Sequence, residues 1–118
     1  MSEVLTQIRQ LEAQLVQAKA VFEQRAIVDK LADNREFRKL IVEGFMRDEC
    51  ARLTHMSTDP NMTTQDRADA LGSAQAPGYL KRWLNALVSM GNQAERDIPE
   101  IERALDELRG MPEDAVSE

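Results

Sequence analysis

This 118-residue chain has one histidine and one cysteine, two residue types whose side chains often serve catalysis. His55 lies in RLTHMST, and a catalytic or metal-binding imidazole needs a second histidine or a cysteine at ligand spacing. None occurs, so we interpret His55 as a helix-end residue near the carbonyl dipole. Cys50 lies between Arg47 and Arg52, whose charges could activate a thiol. Because no base accompanies it, we interpret Cys50 as a small packing residue.

Two pairs of carboxylates are the remaining candidates for acid–base chemistry. Asp48 and Glu49 are adjacent, and adjacent residues of a helix do not face each other. Asp66 and Asp69 fall on the predicted solvent face of an amphipathic helix. A carboxylate-bound metal in a helical bundle uses Glu-x-x-His elements, which this sequence lacks, as it lacks a glycine-rich phosphate loop. We therefore predict a protein without enzymatic activity, catalytic residues, metal or cofactor.

The segment YLKRWL combines aromatic and basic residues. Tyr79 and Trp83 are four residues apart, with Lys81 and Arg82 between them. One interpretation is a packing contact at the start of a helix. The other is an interface hot spot, because tryptophan, tyrosine and arginine are the residues that dominate such sites.

The composition favours an all-α protein with no membrane span. Hydrophobic residues make up 42% of the chain and charged residues 31%, but aromatic residues only 4%. The core must therefore come from Leu, Ile, Val, Met and Ala, which favour helix over sheet. There is no apolar signal core and no run of eighteen apolar residues. With one cysteine, the chain has no internal disulfide, and we expect a soluble protein of a reducing compartment.

The net charge of −6 is confined to the C-terminal end. Between Met1 and Ala94 there are 12 acidic and 12 basic residues, whereas Glu95–Glu118 has 9 acidic and 3 basic residues. Phosphate contacts need lysine and arginine, so the distribution argues against nucleic-acid binding by this end. An acidic end could instead contact a basic partner.

A heptad pattern predicts a long helix at the N-terminus. Its apolar residues recur at alternating spacings of three and four and are Met1, Val4, Ile8, Leu11, Leu15, Ala18 and Phe22. Arg25 falls where the next apolar residue should be, so we expect the strict register to lapse there. Ile27 and Leu31 predict that the helix continues with its apolar face shifted.

Two shorter helices are predicted in the middle of the chain. The first begins at LADNREF, where either an Asp33–Glu36 capping box or Asn34 could cap it. Its apolar face contains Phe37, Leu40, Ile41, Phe45, Met46, Leu53 and Met56. Gly44 within it predicts a close approach by a neighbouring backbone.

The second central helix follows a turn around Pro60. Thr63 or Thr64 can cap it, and it should run to about Gln75. The APG sequence at 76–78 should close it, so that the last helix starts at Tyr79.

A second heptad pattern predicts a long C-terminal helix. Its spacing of four and three persists without a slip through Leu80, Leu84, Leu87, Gly91, Ala94, Ile98, Ile101, Leu105 and Leu108. We call each of these two apolar stripes a seam. Pro99 lies one place after Ile98 and faces away from the seam. We therefore expect one helix, bent near Pro99, rather than two.

These patterns predict a small all-α bundle with coiled-coil-like terminal helices. We expect one domain over 1–110, followed by a frayed acidic tail over 111–118. Small bundles with two such apolar stripes often gain stability by oligomerising, so we expect a homo-oligomer. The interface residues are expected to be Ile8, Leu11, Leu15, Phe22, Tyr79, Trp83, Leu84, Leu87, Ile98, Ile101, Leu105 and Leu108.

The segments KLADNREFRKLIVEGFMRDECARLT and YLKRWLNALVSMGNQAERDI resemble parts of small helical proteins of tailed bacteriophages, found among head and tail genes. The resemblance spans Lys30 to Ile98 and includes no motif tied to an activity. It implies a structural or assembly component of a phage particle, located in the virion or the host cytoplasm, whose partners are other phage structural proteins. The alternative is a phage-encoded acidic inhibitor of a host protein that handles nucleic acid.

Overall fold

The computed structural model describes residues 2–111, and within them the chain is helical with no strand, as the composition predicts. Met1 and the expected tail over 112–118 lie outside the described residues. The helices are α1 (Glu3–Asp33), α2 (Arg35–Phe37), a π-helix (Arg38–Glu49), α3 (Cys50–Met56), α4 (Thr64–Ala74) and α5 (Ala76–Arg109). The two long terminal helices confirm the all-α fold class.

The chain divides into two compact units, and the single domain that we expect over 1–110 stays a prediction. Of the described residues, unit 1 contains those within 1–26 and from 87 onward, and unit 2 contains 27–86. In unit 1, α1 and α5 run antiparallel. Arg109 donates to the Glu12 carboxylate across 3.1 Å, and Arg25 donates to Glu95 across 2.6 Å. As the residue number rises along α1, that of its partner on α5 falls.

The C-terminal helix begins earlier than the sequence predicts. Its first residue is Ala76 rather than Tyr79, and the break from α4 falls at Gln75. Pro77 lies in the first turn of α5, where a missing N–H costs no intrahelical hydrogen bond and the fixed φ suits a helix. The helix is continuous through Pro99, as the unbroken register predicts. The bend that we expect near Pro99 stays a prediction.

The helix after α1 is capped by one of the two candidates that the sequence offers. The Asn34 side chain accepts a hydrogen bond from the Phe37 N–H at 2.7 Å, so Asn34 is the N-cap. The π-helix that follows was not predicted. Its i→i+5 hydrogen bonds place more residues in each turn than an α-helix has, so residues four or five apart share a face. Phe37 and Ile41 are accordingly half-buried, whereas Leu40 is 71% exposed and leaves the predicted apolar face.

The expectation for Gly44 is also wrong. A Cβ at Gly44 would lie 3.4 Å from the Lys39 carbonyl oxygen of the same helix, with no neighbouring backbone against it. The glycine that does bring two helices together is Gly91, which lies in unit 1.

Within unit 2, α3 and α4 pack against each other as a helical hairpin. Thr63 is the N-cap of α4 and accepts from the Asp66 N–H at 3.0 Å. Arg67 closes the loop before it, since its guanidinium donates to the carbonyls of Asp59 and Met62 at 3.2 and 3.0 Å. The Arg67 side chain therefore holds the loop in place through these two backbone carbonyls.

Candidate functional site

The predicted interface residues divide into three groups by exposure. Leu105 is 1% exposed, so its side chain is covered within the chain itself. Tyr79 and Trp83 are 65% and 60% exposed. The others are half-buried, namely Ile8, Leu11, Leu15, Phe22, Leu84, Leu87, Ile98, Ile101 and Leu108. The apolar stripes thus face inward, but among the described residues most of their members keep part of their surface in solvent.

Arg25 occupies the seam position where the sequence predicts a lapse in register. Its side chain is 17% exposed and its guanidinium lies 4.7 Å from the centre of the Phe22 ring. The same group donates to Asn92 Oδ1 at 3.0 Å and to Glu95 Oε2 at 2.6 Å. Arginine can bury its stem along apolar surface and keep its head hydrogen-bonded, so the register continues through it.

Gly91 makes room for Arg25 on the facing helix. A Cβ built on Gly91 would lie 2.8 and 2.9 Å from Cγ and Cδ of Arg25, and closer still to its Cβ. Real Cβ atoms do not approach carbon so closely, because van der Waals contact between carbon atoms lies near 3.5–4.0 Å. Gly91 therefore sets the separation of α1 and α5 at this level.

An open groove of about 640 Å³ lies on one side of the α1–α5 pair in unit 1. Six of its lining residues are apolar, and they are Ala13, Ala18, Val21, Met90, Ala94 and Ile101. Met90 lies outside the predicted seam, and its side chain is 51% exposed. A concave surface lined largely by apolar side chains that keep part of their area in solvent can bind another protein surface.

The polar lining of this groove has little charge. It consists of Gln14, Gln17, Gln93 and Asp97. Gln93 Nε2 donates to Asp97 Oδ1 at 2.9 Å, so the one charged lining residue already has a hydrogen-bond partner. A glutamine amide both donates and accepts hydrogen bonds, so this rim can match another surface of the same kind.

The aromatic cluster of YLKRWL lies on the surface of unit 2. The Arg82 guanidinium is 4.8 Å from the centre of the Tyr79 ring, which is a cation–π distance. Trp83 follows on the same side of α5, four residues after Tyr79. Of the two interpretations, this exposure suits an interface residue better than a packed one, since neither aromatic ring is covered by the chain itself.

The residues considered for catalysis are engaged in local contacts or lie in solvent. His55 is exposed, and the half-buried Cys50 thiol donates to the Ala74 carbonyl at 3.4 Å. Asp48 accepts a 2.9 Å hydrogen bond from Arg47 and, through this bond and its charge, raises the pKa of that guanidinium above its ordinary value. Among residues 2–111, no group of three or more His, Cys, Asp or Glu side chains could hold a metal ion.

Sequence reasoning found the seam but missed the features that give the site its shape. Arg25 predicts a lapse in the register because a charged residue breaks an apolar pattern. Its position at the heptad spacing was nevertheless the signal that it belongs to the seam. Gly91 lies at a seam position too, where glycine typically marks a close approach of two backbones. Met90 and Val21 flank the seams, and only the packing of α1 against α5 identifies them as groove residues.

The described helices include none that is long and apolar enough to cross a lipid bilayer. Comparison with protein-family models, with curated proteins and with solved structures finds no match to this chain. The features of the chain that bear on function are the groove, the aromatic cluster and the charge distribution.

Proposed function

We propose that this protein is a non-enzymatic, oligomerising helical protein that acts as a structural or assembly component of a bacteriophage particle. The observation that carries the proposal is the groove between α1 and α5, with its six apolar lining residues and the half-exposed seam beside it. Transferring such surface from water is favourable by about 25 cal/mol per Å². A further helix laid along the groove would cover it.

A second copy of the chain suits this groove by its charge. The lining has no basic residue, and its one acidic residue, Asp97, is hydrogen-bonded to Gln93. Two such surfaces can approach with little charge repulsion, and their glutamines can pair with each other. A twofold contact needs a self-complementary patch, which an uncharged glutamine rim supplies.

The phage context rests on the resemblance of Lys30–Ile98 to small helical phage proteins. A subunit that self-associates through helices suits such particles, which are built from repeated protein contacts. The experiment that tests the proposal is light scattering of the purified chain across a range of protein and salt concentrations. We expect a defined oligomer that persists at high salt, since apolar contacts are not screened. A monomer at micromolar concentrations would contradict self-association.

Replacing Met90 by lysine should weaken the oligomer, because it places a charge on the wall of the groove. We expect the dissociation constant to rise about tenfold or more, with each factor of ten corresponding to about 1.4 kcal/mol. The matched control is Val16→Lys, which adds the same charge at a 71% exposed position of α1 that does not line the groove. Analytical ultracentrifugation measures both variants, and equal effects would exclude the groove as the contact.

The alternative is an acidic inhibitor of a host protein that handles nucleic acid. The observation that favours it is the exposure of Glu100, Glu102, Asp106 and Glu107 along the end of α5. Such a series of carboxylates could occupy a basic surface in place of phosphates. This function predicts that binding to a nucleic-acid-binding host protein weakens strongly with salt, and that the chain needs no self-association.

A further inference from the structure

We propose that the helix that occupies the groove is α1 of a second copy, and that the two α1 helices meet through the same uncharged face. This inference rests on the proposed self-association and adds the helix of the partner and the face that it uses. All the residues that carry it lie in unit 1. It depends on the distribution of charge around α1 and on the position of the groove beside that helix.

A second stripe of α1 keeps heptad spacing beside the seam. It contains five glutamines and one valine at alternating spacings of three and four, and its members are Gln7, Gln10, Gln14, Gln17, Val21 and Gln24. Four of the six are exposed, and Gln7 and Val21 are half-buried. Heptad spacing keeps a stripe in contact with a facing helix over several turns. We call this set the glutamine stripe.

Most charges of α1 lie on a third stripe, which borders the seam on its other side. Its members are all exposed and are Arg9, Glu12, Val16, Lys19 and Glu23. From this side Glu12 accepts a hydrogen bond from Arg109 of α5 at 3.1 Å. A helix face that meets only water usually carries the charged side chains, and on α1 that face is the third stripe. The glutamine stripe is therefore the outward face that suits a protein contact.

The glutamine stripe and the groove coincide. The groove residues that α1 contributes are Ala13, Gln14, Gln17, Ala18 and Val21. Three of them belong to the glutamine stripe, and the two alanines lie beside it. A second α1 laid on this stripe would also cover Met90 and Ala94 on the α5 wall of the groove, so apolar surface of both helices would leave water.

The glutamine stripe is suited to meet an identical stripe. Between Gln7 and Gln24 it has no charge, so two copies can face each other without opposed like charges. Each amide both donates and accepts hydrogen bonds, so a glutamine of one copy can bond to a glutamine of the other. A twofold contact requires a patch that complements itself, and this stripe meets that requirement for either direction of the second helix.

The α5 wall of the groove is less suited to face its own copy. Its lining includes the Asp97 carboxylate, and the exposed Arg96, Glu100 and Arg103 lie within two turns of Asp97. Because these charges are of both signs, a second α5 would have to match each of them, whereas the uncharged stripe of α1 opposes none of them with a like charge. Charge therefore favours α1 as the helix that fills the groove.

Charge complementation at Gln17 tests this contact in the full-length chain. Gln17 is the middle residue of the α1 groove wall, so it lies near the centre of the contact for either direction of the second helix. Gln17→Lys and Gln17→Glu should each raise the dissociation constant of the oligomer about tenfold or more, because like charges would face each other. An equimolar mixture of the two variants should associate within about threefold of the parent chain, because opposite charges would then meet.

The readouts are analytical ultracentrifugation and native mass spectrometry. Labelling one variant with heavy nitrogen distinguishes mixed pairs from pairs of one kind, and mixed pairs should predominate. Circular dichroism of each variant reports whether it folds, and we expect no change because Gln17 is exposed.

Val16→Lys and Val16→Glu are the matched controls. They introduce the same two charges at the neighbouring residue, which is 71% exposed and belongs to the charged third stripe. Each control should associate within about threefold of the parent chain, since an exposed charge outside the contact is screened by solvent. A mixture of the two controls should form mixed pairs no more often than chance.

The outcomes separate the contact face from the self-association. The inference is wrong if the Gln17 variants associate like the parent chain, if their mixture is as weak as either alone, or if the Val16 controls behave in the same way. Each of these results, obtained with an oligomeric parent chain, leaves the proposed self-association intact. A monomeric parent chain overturns both proposals.

Discussion

Replacing Leu105 by alanine should lower the free energy of unfolding by about 2–5 kcal/mol, the range for leucine-to-alanine changes in protein cores. Leu105 is 1% exposed and has the largest fully buried side chain among the described residues. Truncating it removes apolar contacts and leaves a cavity that the two long helices can fill only by moving. Urea unfolding followed by circular dichroism measures the effect, at one fixed protein concentration because association adds to stability.

Leu40→Ala is the matched control for this prediction. It removes the same atoms from a side chain that is 71% exposed, so its effect should stay within about 0.5 kcal/mol. A loss of similar size in both variants would mean that Leu105 is not the centre of a packed core. The contrast between two chemically identical changes tests the burial itself rather than the properties of leucine.

Replacing Gly91 by alanine should destabilise the protein by about 1–3 kcal/mol, the usual cost of overpacking. The sign is informative, because glycine-to-alanine changes within a helix normally stabilise by about 0.5–1 kcal/mol. At Gly91 the added Cβ would meet Cβ, Cγ and Cδ of Arg25. Cβ is fixed to the backbone of α1, so a rotamer change of Arg25 cannot relieve the whole clash and the helices must separate.

Two further variants make the prediction for Gly91 specific. Gly72→Ala adds a methyl group to α4 where nothing lies within 4 Å of the new Cβ, and it should stabilise the protein. Arg25→Ala combined with Gly91→Ala removes two of the three clashing atoms and should restore only part of the stability lost by Gly91→Ala alone. Stabilisation by Gly91→Ala, measured in the same urea experiment, would show that the two helices are not in contact there.

Much of the fold follows from periodicity alone. The two heptad stripes predict which faces of α1 and α5 turn inward, because apolar residues spaced at three and four lie on one side of a helix. The unbroken count through Pro99 likewise predicts a continuous α5. Such patterns work because burying apolar surface is the largest favourable contribution to folding.

The failures come from features that a count of apolar residues does not include. Leu40 is exposed because the π-helix changes the number of residues per turn. The sequence of the π-helix contains no feature that predicts this change. Arg25 stays in the seam because its charge is matched by Glu95, a residue 70 positions away. The APG segment predicts the end of a helix at 76–78, whereas Pro77 lies in the first turn of α5, where a proline is compatible with the helix. Each of these depends on tertiary or local geometry.

The candidate site was only partly predictable for the same reason. Tyr79 and Trp83 were identified from their residue types and proved exposed. The groove could not be foreseen, because it is formed by residues of two helices that lie far apart in the sequence, such as Val21 and Met90. Which surface of a helix pair remains open depends on the distance between the helices, and here Gly91 sets that distance.

The contact between Arg25 and Glu95 also has a consequence for the order of folding. Its two residues are separated by 70 positions, whereas the Cys50–Ala74 contact joins residues 24 apart. Closing the longer loop costs more chain entropy, and contacts distant in sequence generally form later. During synthesis, the apolar stripe of α1 leaves the ribosome long before α5 exists to cover it. The nascent chain therefore carries that stripe uncovered until α5 has been made.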